Sequence, residues 1–331
     1  MIFNKDYIIG FVLSVVLVMI IMPFYIKALK NRNINQVTSE YALDEYKNKS
    51  KTPIMGGLLF VVIPVIVCLL INFNGFIDKR LLFVVLSFLL FCSVGFIDDM
   101  SIIIKNDNEG LTPLTRIIIE TFYSIVLFVL FKDIIPCQIN IPFTTIRIQV
   151  NPIIFVVFMT LLYEAEANAV NFTDGMDGLC AGVSFIGLIP FLIFSIMHGE
   201  TNITILLFSV LGGLLAYLYY NHYPAKIFMG DSGSLAIGAL FASLGILYDK
   251  CIALFFIGGV FVCEMFCVVL QQLSVRLFHK RVFSYTPIHY AFVIKGHKET
   301  KIVTWFYIAE IILAIIGFII GINTLWSILS I

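Results

Sequence analysis

The chain has 331 residues, 60% of them hydrophobic and only 13% charged, with a formal net charge of zero. A soluble protein carries about 25% charged residues, so this composition excludes an ordinary soluble domain and points to a polytopic membrane protein. The balanced charge does not mark a nucleic-acid partner, and seven cysteines without a CxxC spacing argue against zinc and against a disulfide framework.

A helix crosses the hydrocarbon core with roughly 20 apolar residues. The hydropathy predicts ten spans in an all-α domain covering 1–331: 8–29, 54–73, 81–97, 114–131, 151–166, 179–197, 203–221, 233–248, 251–275 and 303–325. The first run is too long for a signal h-region and has no small-residue cleavage site, so it is expected to be retained. Segments 27–53, 98–116, 223–232 and 276–301 hold 15 of the 21 Lys and Arg residues. Basic loops stay in the cytoplasm. These segments and the 166–178 loop are therefore predicted to be cytoplasmic, and both termini external. The outer loops and N-terminus keep only Lys5, Lys79, Arg80, Lys132, Arg147 and Lys250.

From the N-terminus, KNKSKTPIMGG (47–57) enters the second span. Lys47, Lys49 and Lys51 with the glycine amides at a helix start suit an anion; an ordinary basic flank reads the same way. The third span ends in GFIDDM, with Asp98 and Asp99 adjacent at the membrane boundary. At ~5 Å and an effective dielectric near 20 such carboxylates repel by about 3 kcal/mol, so they need a cation or an aqueous cleft. Arg116 and Glu120, at i and i+4, are placed to pair or to face that cleft. In the outer loop CQINIPFTTIRIQV, apolar and polar residues alternate on both sides of Pro142–Thr145, which predicts a short β-hairpin or an extended loop.

NAVNFTDGMDGLCAG (168–182) is polar in an apolar chain. At helical spacing Asn168, Asn171 and Asp174 share one face, and Asp177 follows near the same side. In MGDSGSLAIGAL (229–240), Asp231 and Ser232 both qualify as N-cap of the eighth span, with Asn221, Lys226 and Phe228 just upstream. The last basic loop interleaves Arg276, His279, Lys280 and Arg281 with Leu277, Phe278, Val282 and Phe283, which predicts an interfacial helix against anionic lipid; His289 follows. Asp98, Asp99, Asp174, Asp177, Asp231 and His289 thus share one membrane side. Five carboxylates there demand a counter-ion. Oxygen ligands suit Mg²⁺, which takes one or two carboxylates and shares the rest with substrate phosphates.

KTPIMGG, GFIDD, NAVNFTDGMDGLCAG, YNHYPAKIFMGDSGSLAIG and YTPIHYAFVIKGHKE together resemble the polyprenyl-phosphate N-acetylhexosamine-1-phosphate transferases along nearly the whole chain. KTPIMGG and PIHYAFVIKG resemble the branch that handles phospho-MurNAc-pentapeptide more than the GlcNAc-1-phosphate branch. The resemblance implies a ten-helix fold in a bacterial plasma membrane, a homodimer and a Mg²⁺-dependent exchange. UDP-MurNAc-pentapeptide and undecaprenyl phosphate would give undecaprenyl-diphospho-MurNAc-pentapeptide and UMP. It further implies that Asp231, with Asp174 beside it, binds Mg²⁺ and that Asp98 and Asp99 bind or deprotonate the lipid phosphate. Asn168, Asn171, Asp174 and Asp177 would hold the nucleotide and diphosphate, Phe228 would stack on uracil near Asn221, and Lys47 would contact phosphate. His289 completes the catalytic set.

The chain departs from the family pattern at three places. His289-Tyr290-Ala291 stands for three histidines, Ile102 for a lysine that Lys105 can replace one turn on, and Arg116 for another lysine. Two other readings are open. One is a GlcNAc-1-phosphate transferase. The other is an ion-coupled transporter, raised by Glu264 and Glu310 inside predicted spans, although five aspartates at one surface do not match a midplane transport site.

Overall fold

The computed structural model describes residues 4–32, 34–35, 51–73, 77–105 and 110–329, with side chains as far as Ile322. Lys47 and Lys49 lie outside the described residues. Helices α1 (Lys5–Asn31), α2 (Gly57–Ile71), α3 (Lys79–Lys105) and α4 (Pro113–Phe131) precede strands β1 (Gln138–Asn140) and β2 (Arg147–Gln149). Helices α5 (Pro152–Thr173), α6 (Leu179–Met197), α7 (Thr201–Asn221) and α8 (Asp231–Leu247) follow. The chain closes with α9 (Cys251–Ile257), α10 (Gly259–Phe278), α11 (Ile288–Ile294) and α12 (Glu299–Leu329).

Eight helices among the described residues (α1, α3, α4, α5, α6, α7, α10 and α12) are long and apolar enough to cross a membrane. The other two expected spans, α2 and α8, have 15 and 17 residues, about 22 and 25 Å at 1.5 Å per residue. The ninth expected span, 251–275, is broken at Gly258 into α9 and α10. There the Val260 amide donates to Glu310 Oε2 at 3.0 Å, so a carboxylate from α12 caps the helix that restarts.

Two helices run past their hydropathy boundaries, and this builds the site. The third span, expected to end at residue 97, continues through Asp98 and Asp99 to Lys105. The fifth, expected to end at 166, continues to Thr173 and carries Asn168 and Asn171 on regular helix. Residues 166–173 are therefore helix, and the loop begins at Asp174. Both polar ends lie against α8, where bundle contacts outweigh the cost of burying polar groups.

Helix α8 is the axis of the bundle, buried from Ser232 to Leu247 and packed closely against α3 and α5. Its glycines and serines permit this approach. A Cβ on Gly233 would meet Gly57 Cα at 2.7 Å, and one on Gly238 would meet Ala167 Cα at 2.5 Å. The outer faces of α1, α4 and α12 expose Phe24, Ile118, Phe122, Ile312 and Ile315, as a lipid-facing surface requires.

The expected hairpin forms, with antiparallel register Gln138↔Gln149, Ile139↔Ile148 and Asn140↔Arg147. The expected interfacial helix at 276–283 does not. Helix α10 stops at Phe278, and His279 takes φ 52°. Gln271 Oε1 then accepts the Val282 and Phe283 amides at 2.9 and 3.0 Å, bonds that replace a continued helix. A short helix follows only at Ile288–Ile294.

Candidate active site

The site lies where the C-terminal ends of α3 and α5 meet the N-terminus of α8. Neither Asp231 nor Ser232 caps α8: Gly230 is the N-cap residue, at φ 74°, and makes no side-chain cap. The cap comes from α3. Asp99, 1% exposed, accepts the Asp231 amide at 2.9 Å on one oxygen and the Ser232 amide at 3.0 Å on the other. A carboxylate against the positive end of a helix is favourable electrostatically as well as through its bonds. Gly95, one turn earlier, lies so close that a Cβ there would overlap the Asp231 carbonyl.

The adjacent aspartates therefore face different ways. Asp98 accepts the Leu111 amide at 2.8 Å on Oδ1, and its carboxyl lies within hydrogen-bonding reach of Asp231. Asp231 Oδ1 accepts from Asn171 Nδ2 at 2.8 Å, and Asn171 also donates to Ser234 Oγ at 3.0 Å. Arg116 reaches in from α4, with Nη1 3.4 Å from Asp231 Oδ2, Nη2 donating to Asn168 Oδ1 at 3.0 Å and Nε to Glu120 Oε1 at 3.0 Å. Both readings of Arg116 hold at once: it pairs with Glu120 and it faces the cleft. Its planar fork serves three acceptors, which a lysine ammonium cannot do with the same geometry.

Asp174, the first residue past α5, completes the acidic group. Burial comes first, then the charges of Asp231 and Asp99, and together they push its carboxyl well above the usual carboxylate range; the Gly230 amide opposes this. Asp177 points elsewhere, with Oδ2 accepting the Ala225 amide at 2.9 Å while its own amide donates to Glu299 at 2.8 Å. It pins the 222–230 segment to the 174–178 loop. Asn221 does the same work, accepting from the Gly178 amide and donating to the Ile227 carbonyl, each at 3.0 Å. Phe228 is half-buried, and its main chain bonds to Pro53 and Gly56.

His289 is fully buried on the far side of this loop. Its Nδ1 lies 3.0 Å from Glu264 Oε1, and Glu264 also accepts the Ile288 amide at 2.7 Å, capping α11. Nε2 has no hydrogen-bond partner and is directed at Gly175, the neighbour of Asp174. Tyr290 donates to the Gly175 carbonyl at 3.0 Å. The two intramembrane glutamates that raised a transport reading thus act as helix caps, Glu310 through Oε2 alone.

One expectation is corrected. The Gly56 and Gly57 amides donate to the carbonyls of Phe228 and Met229 at 2.8 and 2.9 Å. They are turned toward α8 and present nothing to an anion; these glycines serve close packing. Sequence reasoning also missed the capping role of Asp99 and the supports Ser234, Glu264, Tyr290 and Glu299. Only Glu264 carried a signal, as a charge in an apolar run.

Among the described residues no group of three or more His, Cys, Asp or Glu side chains is disposed to hold a metal. The reason is visible in the bonds: Asp99 caps α8 and Asp177 holds a loop. What remains is Asp98 and Asp231, close enough to interact, with Asp174 nearby. Such a pair fits Mg²⁺, which needs only one or two carboxylates when phosphates supply its other oxygens.

Carboxylates, an arginine and amides gathered at one end of a bundle are the chemistry of anionic phosphate substrates. A family model described as glycosyl transferase family 4 matches residues 81–249, from α3 to just beyond α8. The chain belongs to glycosyl transferase family 4. Its relatives include two proteins from Staphylococcus aureus, strains MSSA476 and Newman, each named phospho-N-acetylmuramoyl-pentapeptide-transferase. Each is 38% identical to this chain over 320 residues, covering 94% of this chain and 98% of the relative.

Proposed function

We propose that this chain transfers phospho-MurNAc-pentapeptide from UDP-MurNAc-pentapeptide to undecaprenyl phosphate, releasing UMP and forming a lipid-linked peptidoglycan precursor. The observation that carries the reaction class is Asp231 at the N-terminus of α8, held by Arg116 and Asn171 with Asp98 close by. The name and near-full-length identity of the relatives support the substrate pair. In this reading the chain crosses a bacterial plasma membrane ten times, with α2 and α8 as the two short crossings. The acidic end faces the cytoplasm, where the nucleotide is, both termini lie outside, and the protein is a homodimer. The 15-to-6 division of Lys and Arg supports that orientation.

An oxygen of the lipid phosphate attacks the β-phosphorus of the nucleotide sugar and stays on it; the bond from that phosphorus to the oxygen bridging it to the α-phosphate breaks, and UMP departs with the bridging oxygen. An ionised phosphate is already a nucleophile, so the protein mainly positions it and offsets charge. Asp98 takes the last proton of the lipid phosphate. Arg116 offsets charge on the diphosphate, and Asn168 and Asn171 orient it from the last turns of α5. Asp231 would hold Mg²⁺, with Asp98 and Asp174 at its side. The ion, when bound, would supply positive charge that offsets the charge of the phosphates. Asp99 keeps Asp231 in place by fixing the start of α8, and His289 supports Asp174 through Gly175. Phe228 is the proposed uracil platform and Lys47 a proposed phosphate contact.

The test is UMP release by purified protein given undecaprenyl phosphate and either UDP-MurNAc-pentapeptide or UDP-GlcNAc. The proposal expects release with the first donor and loss of it in Asp231→Asn; release with UDP-GlcNAc alone refutes the assigned substrate.

A further inference from the structure

Helices α3 and α8 each carry a second set of polar groups at their opposite ends. Arg80 lies in the first turn of α3, and Tyr248, Asp249 and Lys250 follow α8. Arg80 lies about 27 Å along its helix from Asp98, and Leu247 about 24 Å from Asp231, at 1.5 Å per residue. These ends and the hairpin enclose a cavity of about 180 Å³, lined among others by Arg80, Gln138, Arg147, His198, Tyr248 and Lys250. A single water needs only about 10–15 Å³ on this measure, so the cavity has room for a group the size of a phosphate.

The placement of charge here is unusual for this chain. Its outer side has only Lys5, Lys79, Arg80, Lys132, Arg147 and Lys250, and three of these line one cavity. Lys250 is 3% exposed, with its ammonium 5.5 Å from the centre of the Phe194 ring. Arg80 pairs through Nη2 with Glu200 Oε1 at 2.6 Å, while its buried Nε–H has no acceptor. Arg147 reaches the rim from β2. Against these cations stand Glu200, which also accepts from Tyr248, and Asp249, which accepts from Gln138. Three cations face two carboxylates: Glu200 is paired with Arg80, and Asp249 accepts from Gln138 on one oxygen while its other oxygen has no hydrogen-bond partner. Burial lowers the Lys250 ammonium to about 8, with Arg147 acting in the same direction and Asp249 against it. Burial and the Lys250 and Arg80 charges hold the His198 ring below its usual value. Positive charge is thus concentrated in a partly desolvated pocket.

We propose that this cavity, at the bundle end opposite the aspartates, binds one phosphate oxyanion through Lys250, Arg147 and the Arg80 Nε–H. Guanidinium and ammonium donors in combination suit a tetrahedral oxyanion. Two sources share this chemistry: the headgroup of an anionic phospholipid, whose phosphates lie at the level of helix ends, and free phosphate. The proposal does not depend on the transferase reading.

The experiment is native mass spectrometry of the detergent-purified full chain, titrated separately with dioleoylphosphatidylglycerol, dioleoylphosphatidylcholine and inorganic phosphate. It is repeated on Arg147→Gln and Lys250→Gln. Arg147 is exposed on a strand, so Arg147→Gln decides the question even where Lys250→Gln fails to fold. One adduct per chain is expected, with affinity at least tenfold lower in the variants. Loss confined to phosphatidylglycerol assigns a lipid headgroup, loss confined to inorganic phosphate a free anion, and loss of both the shared chemistry. Equal binding by wild type and Arg147→Gln, no one-to-one adduct with either anion, or equally tight variant-insensitive binding of phosphatidylcholine overturns the proposal.

Discussion

Asp98 and Asp99 are neighbours in sequence with opposite work in the fold, and one pair of substitutions separates them. Asp99→Asn keeps one acceptor oxygen and turns an NH₂ group toward the other amide of α8. One hydrogen bond to a charged group, worth about 1.5–3 kcal/mol, is lost. The helix N-terminus loses a facing charge worth about 0.3–1 kcal/mol. Removing one charge from the acidic group returns about 1 kcal/mol, leaving a net cost of about 2 kcal/mol. At the ~2–4 °C per kcal/mol of larger domains, Tm should fall by about 5 °C. In Asp98→Asn the remaining oxygen still accepts the Leu111 amide, and the new NH₂ can donate to Asp231. Its Tm should hold or rise, while turnover falls. Thermal unfolding in mild detergent, followed by circular dichroism, measures both. An unchanged Tm in Asp99→Asn, or an equal drop in Asp98→Asn, refutes the division of roles.

Asp231→Asn should lower turnover on the order of 10²-fold with little change in Tm, since it removes a proposed metal ligand; near-normal UMP release at ordinary Mg²⁺ counts against it. Gly95→Ala forces a methyl against the Asp231 carbonyl and should abolish turnover although no reacting group changes, which a full-activity variant would contradict. A cysteine at Lys298, in a chain freed of its native thiols, should resist an impermeant maleimide in whole cells; ready labelling reverses the orientation. Phosphatidylglycerol binding at the proposed cavity beside Lys250 should weaken as pH rises through about 8, because Lys250 is charged below that value and neutral above it. The lipid's own charge is constant there, and Lys250→Gln should flatten the profile.

The sequence made the apolar spans legible because twenty-residue hydrophobic runs have little alternative to helix. The hairpin was legible for a similar reason, its period of two around Pro142–Thr145. Helix ends were less so. Hydropathy stops counting at Asp98 and at Glu166, yet the backbone stays helical to Lys105 and Thr173 because α8 supplies partners for the polar groups. The break at Gly258 was hidden because Glu310, far away in sequence, caps the restart. The acidic positions were readable by residue type, but their tasks were not. Asp99, Glu264 and Glu310 each cap a helix other than their own, and spacing within one segment carries no trace of that. Asp177 and Asn221, expected at the ligand, also tie two loops together, which spacing within one segment did not announce. The cavity beside Arg80, Arg147 and Lys250 was foreshadowed only by the few basic residues outside the four Lys- and Arg-rich segments.

The central claim is the identity of the reaction, and mass spectrometry of the lipid product tests it most directly. Purified protein is incubated with undecaprenyl phosphate, UDP-MurNAc-pentapeptide and Mg²⁺, and the lipid fraction is weighed before and after. The account predicts a lipid heavier by one phospho-MurNAc-pentapeptide unit, formed in step with UMP and absent in Asp231→Asn. An unchanged lipid, with the nucleotide sugar intact or merely hydrolysed, would contradict it.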